Sequence, residues 1–303
     1  MFSSFVLVFC GFYEYYLRPI VKWTLRKLTG KCELLRLTIG RQKGASRTRA
    51  VEKSIRCSRR LPPLVLYTDE DCIRYLDCAT KVKRIDADVY PSFSSSFIYC
   101  LRQICAYDLL LTHLESLRST AVDWNNEGHL NLLDKLWTCL NTETTNVPIR
   151  SREWQTVGFQ SDNPQQDFRG MGVLSLENLV YLSVNHTALT RSLLSASTHP
   201  QRWYPFAVVS INITEMLYTF MKEGELKNQF YNTATRCTIV DFHKLFCFVF
   251  YTFHEYWMQR TRDIMFFNHH REEFRTRLLK RLRCTDCRLG LTGSNGDVSF
   301  FEP

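Results

Sequence analysis

The clearest constraint on the fold is a long apolar pattern with helical spacing near the C-terminal end of the chain. Large side chains recur there every third or fourth position, as they do on one face of an α-helix. They are Phe242, Leu245, Phe246, Val249, Phe250, Phe253, Tyr256 and Trp257. The pattern predicts a helix, and the 303 residues, 45% of them hydrophobic, are enough for one large domain or two small ones.

Helical spacing also dominates the rest of the chain. Thr68 and the three acidic residues after it predict the first turn of a helix that runs to about Arg84. No stretch shows the two-residue alternation of a strand, or a hairpin dipeptide between strand-like runs. Three further helix faces are Phe97, Leu101, Ile104 and Cys105; Leu130, Leu133, Leu136, Trp137 and Leu140; and Phe274, Leu278 and Leu282. The sequence therefore predicts an all-α fold, a single multi-helix domain preceded by an N-terminal apolar and basic helix.

Charge is unevenly distributed along the chain. Residues 1–60 hold 14 Lys and Arg against 3 Asp and Glu, a net charge of +11, whereas residues 61–303 have a net charge of −2. The basic residues follow an apolar stretch from Met1 to Leu17, the reverse of the order in a secretory signal, and that stretch is short for a bilayer span. The pattern predicts an amphipathic helix over residues 1–30 that contacts an anionic membrane surface; the alternative is a helix packed on the body.

The remaining residues divide into four segments. Residues 31–63 are basic with little apolar periodicity, and predict a linker that ends at Pro62-Pro63. Residues 64–125 predict the helical N-terminal part of the body, residues 126–290 its main domain, and residues 291–303 a C-terminal tail. The body lacks a basic stripe with interleaved aromatic residues, which argues against a nucleic-acid partner.

The chain has twelve cysteines, which could form disulfides or bind a metal ion. Most lie singly inside apolar runs, so we interpret them as reduced and mostly buried, in a cytoplasmic protein. With the N-terminal helix, we expect that protein to associate with intracellular membranes. Cys284 and Cys287 form a lone CxxC, and the adjacent His269 and His270 do not supply a second ligand pair with zinc-site spacing. The chain also lacks a P-loop, a nucleophile elbow and an HExxH motif, so we expect no cofactor and no turnover chemistry of its own.

Residues 154–182 interrupt the helical pattern with a different composition. Glycines permit backbone angles that other residues avoid and proline fixes one, so their mixture with aromatic residues predicts a shaped loop, and such loops tend to carry function. Arg169 lies between Phe168 and Gly170. We expect Phe168 to anchor the loop by burial and Gly170 to let the chain turn sharply. The side chain of Arg169 would then lose little conformational entropy when it binds a partner.

The same segment resembles the signature of ELMO domains, W-x3-G-F-Q-x3-P-x-T-D-F-R-G-x-G-x3-L-x2-L-x2-F. Gln166 and Leu182 depart from it, replacing a threonine and a phenylalanine. The resemblance to the short ELMO domain-containing proteins continues through Thr29–Leu34, His199-Pro200, Ile211–Met216 and the helix from Phe242. The matching positions are Trp154, Gly158, Phe159, Gln160, Pro164, Asp167, Phe168, Arg169, Gly170, Gly172, Leu176 and Leu179.

The resemblance implies a helical domain that stimulates GTP hydrolysis by small GTPases of the Arf and Arf-like family. Within that family the arginine that matches Arg169 is the one tied to activity, and the other motif residues support its loop. The protein would then regulate an enzyme, while GTP and magnesium belong to the partner GTPase. We expect Trp154 and Phe159 to be core residues of the loop rather than contacts with the partner.

An arginine suits this task because negative charge builds on the phosphoryl oxygens as GTP is cleaved. A planar guanidinium can meet two of those oxygens at once, and such a group supplied in trans accelerates hydrolysis by about 10³–10⁵-fold. The structural alternative is that Arg169 braces the loop through an ion pair with Asp167. Gln160 could orient the attacking water, although the GTPase usually brings its own glutamine.

Two further expectations concern the partner. We expect it to contact the loop Gln160–Gln166 and the exposed side of the helix Leu176–Asn185, with Asp162 and Glu177 as charged contacts. The rival function is a non-catalytic scaffold or adaptor, because the larger ELMO proteins carry the same signature loop and act as partners of exchange factors. Those proteins have additional domains and a proline-rich tail, whereas this sequence ends at Glu302-Pro303, which favours the activator.

Overall fold

The computed structural model describes residues 17–141 and 147–291. Those residues form helices joined by turns, with no strand among them, so the prediction of an all-α fold is confirmed. Two compact units can be distinguished. The first takes the residues up to Ala106 together with Ala234–Arg236, and the second takes the other residues from Tyr107 onward.

The first unit is built on four helices and the first half of a fifth. They are α1 (Arg18–Thr29), α2 (Glu33–Ile39), α3 (Ala45–Arg56), α4 (Asp69–Lys83) and α5 (Pro91–Ser119), the last of which continues into the second unit. Thr68 caps α4 in a reciprocal pair with Asp71, as the acidic first turn predicted. The predicted α5 face, Phe97, Leu101, Ile104 and Cys105, is buried.

The prediction of a basic linker over residues 31–63 is wrong, because α2 and α3 lie there and contribute to the core. Leu34 and Leu35 of α2 are buried, as are Val51 and Ile55 of α3. The buried face of α3 also uses Ala45 and Thr48, which are too small or too polar to stand out as apolar periodicity. Basic residues occupy much of the rest of this helix and gave the segment the appearance of a linker.

Helix α1 presents apolar side chains to solvent along most of its length. Ile20, Trp23 and Leu28 are each more than half exposed, and Lys22 pairs with Glu33 of α2 at 2.5 Å. Within the described part of the chain, no helix has both the length and the apolar character needed to cross a membrane. The remainder of the predicted N-terminal helix, residues 1–16, lies outside the described residues, as does the tail beyond residue 291.

The second unit surrounds one central helix, α7. Its other helices are the end of α5, α6 (Glu127–Leu140), α7 (Gly172–Asn185), α8 (Thr187–Ser197), α9 (Phe206–Glu223), α10 (Lys227–Thr233), α11 (Ile239–Met258) and α12 (Phe267–Leu282). Helix α7 packs against α6, α8, α9 and α11. The aromatic face from Phe242 to Trp257 on α11 is buried, as its spacing predicted.

Polar side chains inside the second unit fix α7 relative to its neighbours. The side-chain amide of Asn178 donates to the hydroxyl of Thr214 on α9 at 3.0 Å. Its oxygen lies 2.7 Å from Nδ1 of His243 on α11. Burial, with a smaller contribution from His113, lowers the pKa of His243 to about 4, so this imidazole is neutral near pH 7. These paired groups stabilise α7 at a single position, and the loop that bears Arg169 ends at its first residue.

Candidate functional site

The segment predicted as a shaped loop forms two short 3₁₀ helices before α7. They span Arg152–Val157 and Pro164–Gly170. Asn163 begins the second helix, because its side-chain oxygen accepts a hydrogen bond from the backbone N–H of Gln165. Pro164 follows at the first helical position, where the missing N–H costs nothing. The segment is therefore ordered by its own sequence.

Aromatic rings form a continuous base under the loop. Trp154 packs edge-on against Trp137 of α6 and against Phe159, with ring centroids 5.0 and 5.8 Å apart. Phe159 in turn contacts Phe168, at 5.5 Å. The structure buries all four rings, and the indole N–H of Trp154 donates to the carbonyl of Pro148 at 3.0 Å. Edge-to-face contacts of this kind add to the hydrophobic gain and fix the ring geometry.

Two glycines shape the loop where its backbone meets helices. Gly158 has φ of +88°, and a Cβ there would collide with the backbone of Pro205 and Phe206. Gly172 has φ of +52°, and a Cβ would come within 2.9 Å of the carbonyl oxygen of Leu117, with those of Arg118 and Thr120 closer still. Both positions therefore require glycine, for conformation and for space.

Gly170 behaves differently, and the expectation that it makes the sharp turn is wrong. Its φ is not positive, it is exposed, and a Cβ built on it would meet no atom within 4 Å. The turn between the second 3₁₀ helix and α7 is made instead at Gly172. Sequence alone could not separate these two glycines, because their difference depends on where the end of α5 packs.

Arg169 lies on the surface at the last turn of the second 3₁₀ helix. Its Nε–H donates to the carbonyl oxygen of Gln166 at 2.9 Å. No carboxylate among the described residues lies within 4 Å of its guanidinium, so no ion pair with Asp167 forms there. The buried ring of Phe168 anchors the adjacent residue. The side chain is therefore held at its base, with its terminal nitrogens directed to no protein partner in the described part of the chain.

Asp167 braces the loop through the backbone. Its Oδ2 accepts a hydrogen bond from the N–H of Gln160 at 3.0 Å, which ties the turn between the two 3₁₀ helices to the second of them. Burial raises the pKa of this carboxyl group, while the Gln160 hydrogen bond and the charge of Arg169 act in the opposite direction. The side chain of Gln160 itself is exposed.

Two residues that support the loop were missed by sequence reasoning. The side-chain oxygen of Asn163 also accepts from the indole N–H of Trp124 at 3.3 Å. The side-chain amide of Gln165 donates to the carbonyl of Val122 at 2.8 Å. The Asn163-Pro164 dipeptide is a helix-start signal that would have identified Asn163. The Gln165 contact has no local signal, because its acceptor is 43 residues away in sequence.

The expected docking face is only partly available. Gln160, Asp162 and Gln166 are exposed, but the expectation for Leu176–Asn185 is wrong, because α7 is covered on most sides and only Val184 and Asn185 are exposed. Glu177 is half-buried, and burial raises its pKa while His113 and His129 act in the opposite direction. A helix with apolar residues on one face was assumed to be exposed on the other, whereas α7 is the central helix of its unit.

The CxxC segment shows no ligand geometry. Cys287 is buried with its thiol 3.7 Å from the side-chain oxygen of Gln229, and Cys284 is exposed. The described residues contain no group of three or more histidine, cysteine or acidic side chains placed to hold a metal ion. The cysteines of the described residues are all free thiols.

Comparisons with known proteins place these features in a family. A model described as the ELMO/CED-12 family matches residues 112–271, a range that includes both 3₁₀ helices and α7. The chain is 38% identical over 293 residues to ELMO domain-containing protein 2 of Homo sapiens, covering 95% of this chain and 99% of that protein. It is 37% identical over 299 residues to ELMO domain-containing protein 1 of Mus musculus, with 92% of each covered. A more distant relative, ELMO domain-containing protein B of Dictyostelium discoideum, is 29% identical over 278 residues, covering 87% of this chain and 94% of that protein. The chain belongs to the ELMO/CED-12 family.

Proposed function

We propose that this protein stimulates GTP hydrolysis by a small GTPase of the Arf or Arf-like family, with Arg169 acting in trans. The observation that carries the proposal is the environment of Arg169: an exposed guanidinium, anchored through Nε on a braced 3₁₀ helix, with no carboxylate within 4 Å among the described residues. An arginine that braced the loop through an ion pair would direct its terminal nitrogens at a carboxylate, and none among the described residues lies within reach.

The chemistry required of such a group is electrostatic. Charge spreads over the phosphoryl oxygens in the transition state, and the two terminal nitrogens of Arg169 present a fork that can meet two of them. The protein itself would perform no bond cleavage. GTP and magnesium are bound by the partner, and Arg169 supplies positive charge to a site that the GTPase has already formed.

The loop favours this role by reducing the entropy cost of positioning the arginine. The hydrogen bond to Gln166 restrains the side chain, and the buried ring of Phe168 restrains its backbone. A flexible arginine would lose up to about 2 kcal/mol of rotamer entropy on insertion, and a restrained one loses less.

The decisive experiment is a single-turnover GTP hydrolysis assay with a panel of Arf and Arf-like GTPases. We expect stimulation of about 10³-fold or more with at least one of them, and loss of nearly all of it in Arg169→Lys. Arg152→Lys is the matched control, because Arg152 is an exposed arginine at the start of the first 3₁₀ helix. Thermal melting of each variant separates chemistry from folding. A melting temperature that falls in proportion to activity in Arg169→Lys would make the arginine structural.

The same assay distinguishes the rival function. A scaffold of the ELMO type would bind a GTPase or its exchange factor without changing the rate of hydrolysis. Binding without stimulation across the panel, with Arg169→Lys equal to the natural protein, would support the scaffold and contradict the arginine finger.

We further propose that the N-terminal segment contacts an anionic membrane surface, in a cytoplasmic protein associated with intracellular membranes. The exposed apolar side chains of α1 and the net charge of +11 over residues 1–60 favour it. Flotation with vesicles containing phosphatidylserine tests the proposal, using the full chain, a chain without residues 1–30, and Trp23→Ser. We expect both changes to reduce the bound fraction while stimulation in solution persists. Equal binding of the truncated and full chains would contradict it.

A further inference from the structure

Gly170 is a glycine that the fold does not require. It lies in the last turn of the second 3₁₀ helix with a φ that is not positive, and a Cβ would meet nothing within 4 Å apart from its two neighbours in the chain. Within a helix interior, glycine is less stable than alanine by about 0.5–1 kcal/mol, and the penalty is smaller at the last residue of a short helix, where Gly170 lies. Among the described residues, Gly170 meets no conformational or packing requirement for glycine. A residue type without a local structural reason is expected mainly at functional sites.

The position of Arg169 supplies a reason for the bare backbone. Because the Nε–H is bonded to the carbonyl of Gln166, the guanidinium stays close to the 3₁₀ helix and does not extend fully into solvent. A partner that is to meet the terminal nitrogens must then approach the helix itself. Gly170 is exposed and adjacent to Arg169, so a side chain there would add volume to the surface that such a partner approaches.

We infer that Gly170 provides clearance, so that the nucleotide-binding face of a GTP-loaded small GTPase can come into van der Waals contact with the Arg169–Gly170 backbone. The inference rests on the proposed function and adds a positioning residue to it. Charge complementarity favours this partner. The exposed side of the second 3₁₀ helix carries the guanidinium of Arg169, with no carboxylate within 4 Å among the described residues, and the bound nucleotide carries negatively charged phosphates. The flanking Gln160 and Gln166 are exposed and uncharged.

The expected size of the effect follows from geometry. One carbon–carbon bond adds about 1.5 Å between the two surfaces. A misplacement of about 1 Å in a catalytic group can reduce the rate by about 10²-fold. Side chains of increasing volume at this position should therefore reduce stimulation progressively, with little effect on folding.

The experiment is a series, Gly170→Ala, Gly170→Val and Gly170→Leu, in the full chain. The readouts are the maximal stimulated rate, the GTPase concentration at half-maximal stimulation, the affinity for the GTPase loaded with GDP and aluminium fluoride, and the melting temperature. We expect Gly170→Ala to reduce the stimulated rate about 100-fold, and Gly170→Val and Gly170→Leu to reduce it further. The melting temperature should stay unchanged or rise. Gly290→Ala is the matched control, because a Cβ there also meets nothing within 4 Å.

The proposed role of Gly170 also predicts that the effect of Gly170→Ala on the stimulated rate depends on the presence of Arg169. In an Arg169→Ala background the rate advantage of the finger is already lost, so Gly170→Ala should reduce the residual rate by less than about 2-fold. An equal reduction in both backgrounds would overturn the inference.

Other outcomes separate this inference from the proposed function. If the natural protein stimulates hydrolysis and Gly170→Val does so equally well, the proposed role of Gly170 is wrong and the proposed role of Arg169 is unaffected. If the melting temperature of Gly170→Ala falls with its activity, the glycine is structural and clearance is wrong. If the natural protein binds a GTPase without stimulating it, the catalytic role of Arg169 is wrong. A loss of affinity that grows from Gly170→Ala to Gly170→Leu would then still support close approach of the partner at Gly170. Absence of both binding and stimulation overturns both.

Discussion

The second 3₁₀ helix has a buried side and an exposed side that are governed by different requirements. Phe168 has 1% of its surface exposed and packs on Phe159, whereas Arg169, the next residue, is exposed and donates from Nε to the backbone carbonyl of Gln166. The same division separates Gly172, which has no room for a side chain, from Gly170, which has room for one.

Within a few residues, the sequence signature thus combines side chains that pack the loop with side chains that the proposed function uses. On the buried side the residue types are explained by packing, backbone angle and hydrogen bonding. On the exposed side, the described residues give Arg169 and Gly170 no packing role, and the proposed function assigns them one. Substitutions at neighbouring positions, one on each side, test this division.

The largest expected effect comes from Phe168→Ala on the buried side. Removing a fully buried aromatic ring should lower the free energy of unfolding by about 3–5 kcal/mol, because the ring's transfer energy is lost and a cavity remains. Arg169→Ala, its neighbour on the exposed side, should change stability by less than about 0.5 kcal/mol. Chemical denaturation of both variants measures the contrast. Similar losses in the two would break the comparison.

The next effect comes from Gly172→Ala. The Cβ would enter the space of three carbonyl oxygens at the end of α5 and would occupy a left-handed backbone conformation. Strain of this kind costs about 1–3 kcal/mol, and overpacking adds a similar amount, so a destabilisation of about 2–4 kcal/mol is expected. Gly158→Ala should behave alike. If Gly172→Ala melts at the temperature of the natural protein, the turn between the 3₁₀ helix and α7 does not need glycine.

A smaller effect concerns Asp167, which lies between the two sides. Burial raises its folded-state pKa above the ordinary value of 3.8, so the folded protein binds this proton more tightly than the unfolded chain does. The contribution of this group to stability is therefore greatest at low pH and is lost as pH rises through the folded pKa.

Asp167→Asn removes that titration and keeps an oxygen that can accept from the N–H of Gln160. The unfolding free energy of the variant relative to that of the natural protein should increase as pH rises above the ordinary carboxyl pKa of 3.8. The increase should be smaller than the changes in unfolding free energy expected for Phe168→Ala and Gly172→Ala. Denaturant unfolding over a pH series measures it. A relative stability of the variant that decreases over that range would mean that the charge of Arg169 outweighs burial at this carboxyl group.

The sequence predicted the buried side of the site better than its surroundings. The aromatic spacing on α11 and the glycine-rich motif identified helices and a loop, because both signals are local in the chain. The core role of α3 could not be recognised, since its buried face includes Ala45 and Thr48, and neither could the burial of α7, which depends on how four other helices pack. Likewise, the distinction between Gly170 and Gly172 required the position of the end of α5.

The smallest expected effect comes from Asp162 on the exposed side. Its side chain is exposed, and its backbone carbonyl accepts a hydrogen bond from the N–H of Ser151 at 2.9 Å. Asp162→Lys should therefore leave the fold intact and change only the charge beside the loop. Charges at the rim of an interface act mainly on encounter and affinity, so the GTPase concentration for half-maximal stimulation should shift by about 2–5-fold while the maximal rate stays constant. The shift should shrink as ionic strength rises, because exposed charges are screened.

Asp77→Lys, at an exposed acidic position on α4, provides the matched control, and Glu177 is unsuitable because it is half-buried. A change in the maximal rate at saturating GTPase would place Asp162 beside the reacting phosphate, and an equal shift in the Asp77 variant would reduce the effect to net charge alone.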